Sequence, residues 1–372
     1  MKKRILFSLV AFCLLTAKVG AIDISDVSAE CAVVISEQTG ELIFEKNSDR
    51  QHSMASTTKI MTALLAVDSG KLNDEISVTK EMTLVEGTSM GLVSGDSVSL
   101  KELVYGMLLA SGNDAANATA IHLGGNVESF AALMNQKAKE LGMKNTHFVT
   151  PSGLDDDEHY STAYDMALLG KYAVQNPIFK AACSSKNAVL TYGNPPYRRT
   201  LYNHNRLLSS YEYALGIKTG FTKKSGRCLV SYAEKDGIGL IAVTLNAPND
   251  WSDHKKMLDY GFSVIKTNEI FADIPSYVKV VGGNVENLPI KCNSFKYSCV
   301  KDSSVKRVVS IEPFVYAPIK KGDKIGEIRF YYDNLCIGMT DITADADILA
   351  NYEEKQEEKT FFTKIKERLF ND

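Results

Sequence analysis

Three short patterns in this chain hold residue types that could do chemistry together: Ser56-Thr57-Thr58-Lys59, Ser111-Gly112-Asn113 and Lys218-Thr219-Gly220. A serine hydroxyl at its ordinary pKa is a poor nucleophile and needs a base beside it. Lys59 can be that base if desolvation, or a second cation such as Lys218, lowers its pKa. Ser111 offers a hydroxyl for proton relay, and Asn113 an amide to hold a substrate backbone. Lys218 and Thr219 offer a cation and a hydroxyl suited to a terminal carboxylate, while Gly220 lets a strand come close to a ligand. The backbone N–H groups of Ser56 and Phe221 are the expected oxyanion hole. None of the six histidines forms an HExxH pair and there is no CxxC, so neither a metal nor another cofactor is expected.

Such triplets also arise by chance. Ser-x-x-Lys recurs at Ser77, Ser263, Ser276, Ser298 and Ser303, Ser-x-Asn at Ser185, and Lys-Ser-Gly at Lys224. The surrounding elements separate the sets. On a strand, residues i and i+3 point to opposite faces, whereas on a helix they are neighbours. Thr57–Val67 is apolar almost all round and predicts a helix buried on every side, with Ser56 at its positive end and Lys59 one turn in. Leu100–Ala110 and Ala115–Leu123 predict two helices joined by a loop through Ser111, Gly112, Asn113 and Asp114. Ser129–Gly142 and Ala163–Ala173 predict further helices. Ala32–Ser36 and Leu42–Glu45 predict a hairpin, and Arg227–Ala233 and Ile238–Leu245 another, turned at Asp236-Gly237; Ala214–Lys218 is a strand before it. Lys255–Val264 returns to helical periodicity. The order predicts an α/β unit whose sheet pairs the two ends of this region.

The chain has 372 residues, 45% hydrophobic and 23% charged, which suits two globular domains and excludes a disordered or multi-span membrane protein. A net charge of −3 gives no basic surplus for nucleic acid. Lys2, Lys3 and Arg4 precede an apolar run to Leu15 and then Val19-Gly20-Ala21, the pattern of a secretory signal peptide over residues 1–21. Its removal takes four basic and no acidic residues, leaving an exported protein of charge −7. A catalytic domain is expected over 22–270. Short β-type runs between Gly, Asn, Asp and Pro predict a small all-β domain over 275–348. Within 353–372, Phe361, Phe362, Ile365 and Leu369 share one helical face, which suits a tail lying on a membrane surface. Of the remaining cysteines, Cys31 and Cys228 sit in apolar text and are expected to be buried thiols.

Serine-lysine, Ser-x-Asn and Lys-Thr-Gly in this order form the signature of penicillin-recognising serine acyl-transferases. The segments GMKNTHFVTPSGLDDDEHYSTAYDMALLG (Gly142–Gly170), LLASGNDAA (Leu108–Ala116), HNRLL (His204–Leu208) and GIKTGFT (Gly216–Thr222) extend the likeness. With them the chain resembles, over essentially its whole length, the low-molecular-mass penicillin-binding proteins of the D-alanyl-D-alanine carboxypeptidase type. The resemblance implies an α/β penicillin-binding, β-lactamase/transpeptidase-like catalytic domain with an antiparallel sheet and helices. It also implies the small all-β C-terminal domain and the amphipathic tail helix. The implied substrates are peptidoglycan stem peptides ending in D-Ala-D-Ala, with β-lactam antibiotics as covalent inhibitors. The implied location is the outer face of the bacterial cytoplasmic membrane. By similarity, Ser56 carries the acyl group, Lys59 activates it and Ser111 passes a proton to the leaving D-Ala. Asn113 binds the peptide amide, and Lys218 with Thr219 receives the terminal carboxylate.

The chain departs from that pattern in three places. Many relatives carry His where Ser152 stands, some carry His where Phe221 stands, and Asp250–His254 lacks an arginine found there in some relatives, leaving the second carboxylate-binding cation unassigned. Three other activities stay open. A D,D-endopeptidase uses the same residues; a β-lactamase adds a glutamate-positioned water, for which Glu158 lies in a run of acidic neighbours. A catalytically silent wall-binding scaffold is the alternative outside enzymology.

Overall fold

A computed structural model describes residues 22–301 and 304–351. The expected signal peptide and tail helix lie outside the described residues. Two compact units are present, one running to Lys266 with Ser298–Val300, the other made of Thr267–Tyr297 and the chain from Lys301 on.

The first unit is built on a five-stranded antiparallel sheet. Its strands are β1 (Cys31–Ser36), β2 (Leu42–Lys46), β3 (Ala214–Thr222), β4 (Gly226–Lys235) and β5 (Ile238–Leu245), in the order β2-β1-β5-β4-β3. Cys31 pairs with Leu245 and Ser36 with Leu240, so the sheet joins the two ends of this region, as the element order predicts. Along β1, Cys31, Val33 and Ile35 enter one core cluster while Ala32 and Val34 enter another. The sheet is covered on both faces, which is why β1 reads as an unbroken apolar run. Each of Val33, Val34 and Ile35 adds about 1.5–3 kcal/mol of burial free energy.

Helix α1 (Lys59–Asp68) lies at the centre of the larger cluster, with all but Leu65 and Asp68 buried. A 3₁₀ turn over Ala55–Thr58 precedes it. Around it stand α2 (Leu100–Leu108), α3 (Asn113–Gly124), α4 (Val127–Glu140), α5 (Ala163–Ala173) and α6 (Pro177–Ser184). Helix α7 (Asp250–Val264) covers the other face. The starts are set by side chains: Ser99 and Glu102 close a reciprocal capping box on α2, and Thr162 Oγ1 accepts from the Asp165 N–H on α5. Helix α6 was not expected, although Asn176 caps it and Pro177 opens it, a pairing that marks a helix start. The hairpin of Asn187–Gly193 with Pro196–Tyr202 was also missed, because most of its side chains are at least partly exposed and carry no burial pattern.

The second unit holds a six-stranded sheet. Its strands are β6 (Tyr277–Val281), β7 (Asn287–Cys292), β8 (Lys306–Ile311), β9 (Phe314–Tyr316), β10 (Lys324–Tyr332) and β11 (Leu335–Ala344), in the order β8-β10-β11-β7-β6-β9. Strand β7 escaped notice because Pro289 argues against a paired strand. Leu288 and Ile290 on either side of it nonetheless alternate inward. Its core includes Leu288, Ile328, Phe330 and Ile342, with the rings of Phe295 and Phe330 stacked at 4.3 Å.

Candidate active site

The 3₁₀ turn that carries Ser56 is tied down by its own threonines. Thr57 Oγ1 donates to the Met54 carbonyl at 2.6 Å, and Thr58 Oγ1 to the Ala55 carbonyl at 2.8 Å. Ala55 holds a φ of +47°, a left-handed conformation that costs an ordinary residue roughly 1 kcal/mol or more. Gly153 packs directly under it: a Cβ there would lie 1.9 Å from the Ala55 oxygen, and its own φ is +82°. Only glycine fits.

One turn on, Lys59 is wholly buried and its ammonium nitrogen touches three oxygens. These are Ser56 Oγ at 2.9 Å, Asn113 Oδ1 at 2.6 Å and the Ser152 carbonyl at 2.7 Å. Burial first, and then the charge of Lys218, pull the Lys59 pKa well below the ordinary lysine value, with Asp114 opposing. An amine shifted in this direction and within hydrogen-bond reach of a serine hydroxyl has the geometry a general base needs. The contact with Ser152 uses its backbone, so the departure noted there leaves this bond intact.

Ser111 takes a φ of +57° in the bend before α3 and accepts from Lys218 Nζ at 3.0 Å. Lys218 is 1% exposed and also donates to the Thr219 carbonyl at 2.8 Å. Burial draws its pKa down to about 7. Asn113 is the first residue of α3 rather than part of the loop, and both ends of its amide are engaged. Oδ1 meets Lys59, and Nδ2 donates to the Glu86 carbonyl at 2.6 Å. Its contacts here are therefore to the protein.

Strand β3 brings the third pattern to Ser56. A Cβ on Gly220 would stand 3.0 Å from the Met54 oxygen and 3.1 Å from the Ser56 nitrogen, so the missing side chain sets how closely β3 passes the Ser56 backbone. The two strands pair Phe221 with Arg227 and Gly220 with Cys228. Ser56, Ser111, Thr219, Gly220 and Phe221 all line one cleft of about 340 Å³. The side chain of Phe221 is exposed.

Several residues of the site had no role assigned from the sequence. Asp114 gathers the 89–92 segment, accepting from Ser89 Oγ at 2.6 Å and from the N–H groups of Met90, Gly91 and Leu92 at 2.9–3.1 Å. Thr88 bonds the Ser111 carbonyl through its hydroxyl and accepts the Asn113 N–H at its own carbonyl. Buried His159 accepts the Val149 N–H at Nδ1, which puts its proton on Nε2, 2.8 Å from Thr58 Oγ1. Burial lowers its pKa to about 4. His204, Arg206, Arg227, Asp250 and Trp251 complete the cleft wall. Cys31 and Cys228 are buried, and burial raises their pKa values to about 11 and about 12.

The chain is similar to known proteins over most of its length. Residues 17–249 match the D-alanyl-D-alanine carboxypeptidase family, and residues 262–349 match the penicillin-binding protein 5 C-terminal domain. The D-alanyl-D-alanine carboxypeptidase DacF of Bacillus subtilis is 33% identical over 336 residues, 86% of each chain. DacC of Escherichia coli, also a D-alanyl-D-alanine carboxypeptidase, is 33% identical over 83% of this chain and 81% of its own. Among solved structures, penicillin binding protein 5 from Haemophilus influenzae superposes with a TM-score of 0.63 at 27% identity, covering 88% of this chain and all of that one. The Streptomyces K15 DD-transpeptidase gives 0.61 at 31% identity over 64% of this chain and 98% of its own.

Proposed function

The chain belongs to the D-alanyl-D-alanine carboxypeptidase family of serine peptidases, and from that premise we propose that it removes the terminal D-Ala from peptidoglycan stem peptides through an acyl-enzyme on Ser56. The observation that supports this most is the buried Lys59 amine 2.9 Å from Ser56 Oγ, with a lowered pKa. Neutral Lys59 takes the hydroxyl proton as Ser56 Oγ attacks the penultimate carbonyl. The negative oxygen that forms is received by the backbone N–H groups of Ser56 and Phe221. Lys218 and Ser111, 3.0 Å apart, pass a proton to the departing D-Ala nitrogen. The proton that Lys59 took replaces the one the relay gave up, so Lys59 is neutral again when water attacks the ester. Lys59 takes a proton from that water and hands it to Ser56 Oγ as the shortened peptide leaves. A β-lactam ring opened by the same serine leaves an ester on Ser56.

Asn113 enters this reading first as the acceptor that orients Lys59; to hold a substrate amide, its Nδ2 must exchange the Glu86 carbonyl for the ligand. The signal-peptide pattern of residues 1–21 and the apolar face of 353–372 support an exported enzyme docked on the outer face of the cytoplasmic membrane. Stem peptides are found there.

Mass spectrometry of the mature protein with a diacetylated peptide ending in Lys-D-Ala-D-Ala tests the reading. Free D-Ala from wild type and none from Ser56→Ala is the expected result. A stable penicilloyl ester on Ser56 without D-Ala release would move the substrate to cross-linked peptide, and neither product would leave a silent scaffold.

A further inference from the structure

Arg227, the second residue of β4, stands beside Ser56, Thr219 and Gly220 in the wall of the cleft. Its Nη2 lies 3.0 Å from Asp250 Oδ2, and its guanidinium carbon lies 5.5 Å from the centre of the Trp251 ring. Asp250 is buried in the first turn of α7, where the helix dipole favours a negative charge, and its Oδ1 accepts the Trp251 N–H at 2.9 Å. The guanidinium is thus fixed by a carboxylate and an indole. One bond to Asp250 occupies one of five N–H donors, and the side chain remains 41% exposed.

Among the described residues lining the cleft, Asp250 is the one carboxylate, and Arg227 already neutralises it. Arg206 adds another cation. The mouth is therefore built for an anion. Lys218, the cation that the Lys-Thr-Gly pattern assigns to a substrate carboxylate, is committed inside the protein to Ser111 Oγ and the Thr219 carbonyl. Its charge near neutrality is partial as well, whereas a guanidinium stays charged at any physiological pH. Arg206 has no acidic partner within ion-pair distance among the described residues, so nothing comparable holds it in place.

Resting on the carboxypeptidase reading, we propose that Arg227, held by Asp250 and backed by Trp251, receives the substrate's terminal carboxylate together with Thr219. It is then the residue that selects peptides with a free C-terminus, and Lys218 is left to the proton relay through Ser111. Asp250 is a positioning residue in this arrangement.

The test compares kcat/KM for a peptide ending in D-Ala-D-Ala as the free acid and as its C-terminal amide. Wild type should prefer the acid. Arg227→Gln should lower the acid value roughly 10- to 100-fold, the range for a hydrogen bond between charged groups, and leave the amide value nearly unchanged. Arg227→Lys, which keeps the charge without the fork, should retain part of the preference, and Arg206→Gln should weaken it far less than Arg227→Gln does. Asp250→Asn should raise KM for the acid more than it lowers kcat. An unchanged preference in Arg227→Gln, or its loss in Arg206→Gln instead, overturns the proposal. Calorimetric binding of the same acid and amide to Ser56→Ala, with and without Arg227→Gln, reads the arginine separately from turnover. A wild type that releases no D-Ala counts against the carboxypeptidase reading, and the binding difference still decides the role of Arg227.

Discussion

Lys59 Nζ meets Asn113 Oδ1 at 2.6 Å, the shortest of its three contacts, so the amide of the Ser-x-Asn pattern is also the rest on which the proposed base lies. A neutral acceptor that bonds the ammonium stabilises the charged form, while a carboxylate in its place would stabilise it far more. Asn113→Asp should therefore move the acid limb of the acylation profile to higher pH. Asn113→Ala should move it lower and slow acylation by about 100-fold, the lower end of what a misplaced general base costs. Intact-mass acylation rates with a β-lactam between pH 5 and 9 measure both. Identical acid limbs in all three proteins would separate Asn113 from the base.

Lys218 gives a stability signature. Its pKa falls from 10.5 to about 7 on folding, so between those values the unfolded chain binds more protons and stability rises with pH. Lys59 acts in the same direction. Over pH 7–8.5, below the ordinary thiol pKa of 9.0, the melting temperature should climb less steeply in Lys218→Met than in wild type. Parallel slopes would mean that Lys218 is not desolvated in the folded protein.

His159 sets an acid limit. Its pKa drops from 6.5 to about 4, and that of His254 from 6.5 to about 3, because both rings are buried. The folded state then binds fewer protons below pH 6.5, and the stability these rings contribute is complete above 6.5 and lost as pH falls toward 4. Protonating His159 also removes the acceptor of the Val149 N–H. His159→Gln should start less stable at pH 7, by about 1–3 kcal/mol for the disrupted buried bonds, and lose less between pH 7 and 4.5. Denaturant midpoints at the two pH values check this, and an equal loss in both proteins would contradict it.

Gly220 tests how closely β3 must pass the proposed nucleophile. A methyl group there would sit 3.0–3.1 Å from the Met54 oxygen, the Ala55 Cβ and the Ser56 nitrogen, close enough to push the turn by a few tenths of an ångström. Gly220→Ala should leave the protein folded, cost about 1–3 kcal/mol from overpacking, and slow acylation roughly 10- to 100-fold through the displaced oxyanion site. Wild-type acylation in a destabilised Gly220→Ala would show that the site tolerates the shift.

Much of this architecture was legible because its causes are local. Thr57–Val67 has apolar residues on every side, and only a helix inside a core can bury them all; α1 runs from Lys59 to Asp68 there. The alternation and the Asp236-Gly237 turn of β4 and β5 were legible in the same way. Pro289 hid β7, since a proline forfeits a donor wherever it stands and only the ladder itself reveals a tolerated place.

Residue types read together with the helices and strands expected around them singled out Ser56, Lys59, Ser111, Asn113, Lys218 and Thr219, a set that could supply the nucleophile, base, relay and cation of the proposed acyl transfer. What they could not say is which atom faces which. That Lys59 rests on a backbone oxygen of Ser152, that Lys218 turns inward to Ser111, and that Asp114 and His159 brace the turns around the serine were decided only by folding. Arg227, Asp250 and Trp251 belong to the same class: they are separated from Ser56 by more than 150 residues and no shared period links them. Hydrophobic periodicity records which face of an element is buried, but a polar contact between distant segments depends on the register and approach of whole strands and helices, which exist only in the assembled structure.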